Sequence, residues 1–201
     1  VISDRGIGGE TVTTGRDVFA EACGRQYLAG LTMLRNAIEA CPDDVWAHHD
    51  GTEAPFWQHT MHALYYTRLF LQPSPVHPDA TDNAESAMAQ IGAPMKDWSQ
   101  DEIQRMNDTM GVLCDKRIHP PRTVTRAEML QRLGAAAQAC ATAFAEVGEV
   151  GAAGANPMPW LTGTRADLLV YNLRHLQHHI GRLHSILGRR GQRLEWVGGL
   201  P

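Results

Sequence analysis

Asp167-Leu-Leu-Val-Tyr-Asn-Leu-Arg-His-Leu-Gln-His-His-Ile-Gly-Arg-Leu-His-Ser-Ile-Leu-Gly-Arg189 decides how this chain folds. Within it Leu169, Leu173, Leu176, Ile180, Leu183 and Leu187 recur at alternating steps of four and three residues. That spacing predicts an α-helix with one buried seam. One residue ahead of the seam run Asn172, His175, His179 and Arg182. At 3.6 residues per turn His175 and His179 lie one turn apart and about 40° from each other, so both imidazoles can grip one metal ion. Two histidines hydrogen-bonded at a helix surface are the plainer alternative.

Upstream, the same periodicity marks three further long helices. Over residues 16 to 41, Phe19, Cys23, Tyr27, Leu31, Leu34 and Ile38 keep helical spacing as far as Pro42, which closes the helix. Pro55 suits the first turn of a second helix, where its missing N–H would be unpaired anyway. The pattern then runs through Phe56, His59, Ala63, Tyr66 and Phe70 until Pro73 and Pro75 stop it. Residues 73–98 hold four prolines and a short Ala-rich piece from Ala84 to Ile91, which reads as a long crossover with one minor helix.

Ser99-Gln-Asp-Glu102 has the capping-box pattern and opens another short helix; Thr125-Arg-Ala-Glu128 repeats it before a Leu- and Ala-rich third long helix, Met129 to Val147. Gly148 to Pro159 ends that helix. Thr164-Arg-Ala-Asp167 starts the histidine-bearing one, and Gly188 or Gly191 supplies a left-handed exit. Almost no alternating strand pattern remains. The expected fold is an all-α four-helix bundle, in which a gap of about 50 residues between helices two and three permits a crossover.

A chain of 201 residues with 43% hydrophobic content can bury a core as one domain, 1–201, without disulfides or a structural metal. Its 18 Lys and Arg against 22 Asp and Glu give a net charge of -4, no footprint for nucleic acid, whose binding leans on clustered cations. Arg189, Arg190 and Arg193 read as cations offsetting the carbonyls of a helix end. No apolar run of about 18 residues is present to span a membrane, and Val1 to Glu10 lacks the blocks of a secretion signal. Cys23, Cys41, Cys114 and Cys140 lie far apart with no Cys-x-x-Cys pair. Reduced, buried thiols and a cytoplasmic protein are the expectation. The five tryptophans and eight methionines read as packing.

Placement singles out a few of the ten histidines. His48, His49, His77 and His119 fall in loops or short segments. His59 and His62 sit on helix two, and His175, His178 and His179 on helix four, with His184 on another face. A zinc-type ion that does chemistry wants three protein ligands at about 2.0 to 2.1 Å and an open position. Two ligands from one helix and one from another meet that need. The paired Glu-x-x-His motifs of di-iron bundles are absent, as are His-Glu-x-x-His and Cys-x-x-Cys-His.

His62-Ala-Leu-Tyr-Tyr-Thr-Arg-Leu-Phe-Leu71 on helix two, then His175-Leu-Gln-His-His179-Ile-Gly-Arg-Leu183 on helix four, resemble the DinB/YfiT-like superfamily. The similarity covers residues 16 to 198, including the closing Trp196-Val-Gly198, and its most specific part is His-x-x-x-His-x-Gly. The resemblance implies a bundle in up-down-down-up order that holds a divalent metal, zinc or nickel, through three histidines. Carried onto this sequence these are His62, His175 and His179. His59 is the rival for the first place and His178 a poorer rival in the pair. Relatives include thiol transferases that use bacillithiol or mycothiol, an isomerase that depends on mycothiol, and metal-dependent hydrolases. Relatives are also frequently dimers, so a homodimer is expected.

The function implied is activation of water or a low-molecular-weight thiol for attack on a small electrophilic substrate, as in a thiol transferase or a hydrolase. Tyr66, one turn beyond His62, and Asn172 and Arg182, flanking the helix-four pair, are the candidate substrate-binding residues. Arg182 suits an anionic group through a forked hydrogen bond. Two other classes stay open: a non-catalytic metal or small-ligand binder, such as a stress-response protein, and a structural bundle whose histidines bind nothing.

Overall fold

Each helix boundary follows from the residues that flank it. The computed structural model describes residues 15–49, 54–72, 123–147, 149–156 and 161–199. Its helices are α1 (Gly15–Ala40), α2 (Asp43–Trp46), α3 (Phe56–Leu71), α4 (Arg126–Glu146), α5 (Glu149–Ala153) and α6 (Arg165–Gly188). The crossover expected after Pro73, with its pieces at Ala84–Ile91 and Ser99–Glu102, lies outside the described residues.

Pro55 has an extended ψ of 156° and occupies the cap position ahead of α3. This corrects its expected place in the first turn by one residue, and its carbonyl accepts from the N–H groups of Gln58 and His59. Two capping boxes form as read. Glu128 accepts from the Thr125 N–H at 2.8 Å and returns its own N–H to the Thr125 hydroxyl at 3.2 Å. Asp167 accepts from the Thr164 N–H at 2.7 Å in the same way. At the far end of α6, Gly191 takes the positive φ of 78°; Gly188 is the last helical residue. The short helices α2 and α5 went unread, because four or five residues do not span enough turns to show a period.

Each long helix packs against two others: α1 and α3 both contact α4 and α6. Gly24 of α1 abuts Phe144, while Arg126, at the start of α4, donates to the Cys41 carbonyl just past α1. Those two helices therefore run in opposite senses. Tyr27 donates to the Leu169 carbonyl at 2.7 Å, and Gly30 lies against Leu176 and Ile180, so α1 and α6 run in the same sense. Gly30 is there for closeness: a Cβ at that position would sit 3.2 Å from the Leu176 side chain. α3 opposes α6, with Thr67 bonded to Asn172 and Phe70 against Tyr171.

The result is an all-α helical bundle. Among the described residues there is no strand, only one isolated bridge between Ala155 and Thr164. Leu169, Leu176, Ile180, Leu183 and Leu187 of the seam are buried, whereas Leu173 is half-buried. Opposite them the core takes Tyr27, Leu31, Leu34, Met61, Leu64 and Phe70. Trp46 and Trp57 are buried as expected, and the Trp46 indole donates to the Val124 carbonyl at 2.8 Å. Trp196 corrects the packing expectation at 73% exposed, because it rides on the tail that leaves α6. That tail is tied to α1 by Gln26, which donates to the Gly198 carbonyl.

Cys23, Cys41 and Cys140 are buried and free. Burial pushes the Cys23 thiol up to about 11 and those of Cys41 and Cys140 up to about 12, so all three are inert at neutral pH. No helix among the described residues is long and apolar enough to cross a membrane.

Candidate metal centre

Opposed running of α3 and α6 sets His62 across from the turn that carries His175 and His179. His62 is 1% exposed and His179 is 7% exposed; His175 is half-buried. The Nε2 atom of His62 lies 3.0 Å from Nε2 of His175, and Nε2 of His179 lies 3.2 Å from that same atom. One ligating nitrogen from each ring falls within 4.8 Å of the others.

An imidazole nitrogen carries one proton or one lone pair, so His175 Nε2 can satisfy one of its two close neighbours but not both. The Nδ1 atoms of all three rings are buried with no hydrogen-bond partner among the described residues. With protons on Nδ1, three lone pairs converge. Among neutral rings that is repulsive, and around a cation it is attractive. Ligands about 2.0 to 2.1 Å from a zinc-type ion are about 2.9 Å apart at right angles and about 3.3 Å apart at the tetrahedral angle. The two edges at His175, 3.0 and 3.2 Å, fall between those values, and the third, from His62 to His179, lies within 4.8 Å.

Burial is the main reason these rings stay unprotonated. It holds His175 down to about 4, with the charge of His178 adding to it. His179 is held down to about 2 by burial and then by His175, His59, His178 and Arg182. His62 is pushed well below the ordinary range by burial, then by the other histidines. Neutral imidazole is the form that ligates.

A family model described as the DinB superfamily matches residues 26–183. The chain belongs to the DinB superfamily. A search of the curated proteins and of the solved structures gave no match, so the family carries the comparison alone. Three close histidines on two helices of a DinB superfamily bundle make a donor set suited to a divalent ion.

The other sequence candidates of this DinB superfamily member fall in distinct places. Tyr66 is buried, with its ring 4.7 Å from that of His62 and edge-on to His175 at 5.7 Å. Asn172 is fully buried and its amide donates to the Thr67 carbonyl at 3.1 Å, tying α6 to α3. Arg182 is exposed, and its charge reaches His179. His59, the rival of His62, is buried one turn earlier with its ring 6.1 Å from His179, outside the group of three. His178 is exposed, its ring 5.2 Å from His179. His184 bonds to the Met33 backbone instead. His77 and His119 lie outside the described residues.

Tyr171 was missed from sequence. Its ring stacks on His175 at 6.3 Å and 14° and meets Phe70 edge-on. The signal was available: Tyr171, His175 and His179 form one i, i+4 row.

Proposed function

We propose that His62, His175 and His179 hold one divalent ion, zinc or nickel, and that the protein uses it as an enzyme on a small electrophilic substrate. The single observation behind this reading is the pair of short contacts on His175 Nε2, which one proton cannot bridge at once and a shared cation would. The helix directions described above support the up-down-down-up order that goes with such a site in this superfamily. When bound, a divalent ion at three neutral imidazoles supplies Lewis acidity that favours hydroxide over water or thiolate over thiol near neutral pH. The chain's own part is to fix the rings and shield them. Tyr66 packs on His62 and His175, and Tyr171 stacks beside His175, contacts that hold the rings in place.

Metal analysis of protein purified without added metal or chelator is the test. About one divalent ion per chain is expected, with His62→Ala and His179→Ala losing it. Full occupancy in either variant overturns the ligand set. Screening bacillithiol, mycothiol and simpler thiols with electrophiles, alongside hydrolase substrates, then separates thiol transfer from hydrolysis. A non-catalytic binder is the second reading, and it needs a fourth protein ligand; buried His59 beside His179 is the side chain that favours it.

A further inference from the structure

We propose that a cleft between the start of α1 and the first turns of α6 binds a small anion with an apolar body. We infer that this is the substrate class of the metal centre, a step that rests on the functional reading above. The cleft holds about 420 Å³ and has apolar walls from Phe19, Leu161, Val170 and Tyr171. That is room for a small organic molecule. Val170 presents an aliphatic side chain at 43% exposure on α6, where helix phase would ordinarily put a polar residue.

Charge orients the ligand. Arg174 and Asp167 both line the cleft and stand two helical turns apart, about 10 Å along α6. The Asp167 carboxylate accepts from both the N–H and the hydroxyl of Thr164 at 2.7 Å, bonds that keep it ionised, so it repels an anion from its end. Arg174 makes no ion pair among the described residues, and its planar fork matches a carboxylate, sulfonate or phosphate. The anionic head therefore sits at Arg174 and the apolar body lies over Val170 and Phe19. Tyr171 connects this cleft to the centre, since one face of its ring stacks on His175. A ligand against Tyr171 is one ring away from a candidate metal ligand.

The test uses the full chain and two fluorescent probes of one shape, anilinonaphthalenesulfonate and the uncharged phenylnaphthylamine. Binding of both is expected, with Arg174→Gln weakening the sulfonate about tenfold, the scale of one lost charge-assisted fork, and leaving the neutral probe unchanged. Val170→Asp should weaken both, with near-ultraviolet circular dichroism showing that the variant keeps its packing. Sulfonate binding that is indifferent to Arg174→Gln overturns the cleft. Cobalt(II) loading reads the second half: the sulfonate should shift the cobalt absorption bands. Bands that ignore a bound sulfonate overturn the substrate class. A chain that takes up no cobalt overturns the metal reading and the substrate class with it, while the probe result still decides the cleft.

Discussion

His175 is the hinge of the site, because its Nε2 is the atom that the other two rings share. The pH dependence follows from where these rings titrate. An unfolded histidine takes a proton near its ordinary value of 6.5, whereas folded His175 does so at about 4 and folded His179 at about 2. Between those values the unfolded chain binds more protons, so stability rises with pH through the window. Metal-free protein should lose stability as pH falls from about 6.5 toward 4, whereas protons should displace a bound ion from the folded chain only as His175 titrates, near pH 4 and below. Urea titrations at several pH values, with metal assayed in parallel, check both; a flat profile contradicts the burial of neutral rings. Tyr27→Phe removes the bond to the Leu169 carbonyl and should cost about 1 kcal/mol by the same titration. That His175 and His179 are neighbours was legible in sequence because a four-residue spacing on one helix is a matter of phase, whereas His62 was set ahead of His59 by the family resemblance alone. The outward turn of Arg182 was not legible. A residue at the margin of a stripe lies in or out according to a rotation that neighbouring helices set.

At the level of the element, sequence spoke most clearly where a local rule is complete within four residues. Thr125 and Thr164 announced α4 and α6 through reciprocal bonds that involve no distant partner. Thr164→Ala should therefore cost about 1 kcal/mol, measured by denaturant unfolding, with metal content unchanged because the histidines lie further along α6. Gly134 is exposed in the interior of α4, and a Cβ there meets nothing within 4 Å among the described residues. Gly134→Ala should stabilise the protein by about 0.5 to 1 kcal/mol; a loss would mean that α4 is covered at that point. The short α2 escaped reading for the opposite reason. It is held by tertiary partners, Trp46 bonded to Val124 and Asp43 paired with Arg126 at 2.9 Å, which no local pattern reveals.

Across the whole molecule, apolar stripes on four long helices made a bundle legible, since each stripe needs another to cover it. Which helix neighbours which was not legible from periodicity, because it depends on long connections and on contacts such as Gly30 against Leu176. An ion held by both α3 and α6 would bind the folded state alone and so stabilise it, by about 2.7 kcal/mol at a free concentration one hundred times its dissociation constant. A chelator should lower the thermal midpoint of the wild type and leave His62→Ala where it was. Equal shifts in the two proteins would place the ion elsewhere.

The sequence separation of His62 and His175, 113 positions, bears on how such an ion would arrive. During synthesis no such site exists until α6 has emerged from the ribosome and docked on α3. By then His62 and His179 are buried, and half-buried His175 is the most exposed of the three rings. An ion held by all three rings would therefore be taken up only after α3 and α6 have docked, with His175 the ring most open to it. Its exchange would then quicken in any variant that loosens the packing of α3 on α6.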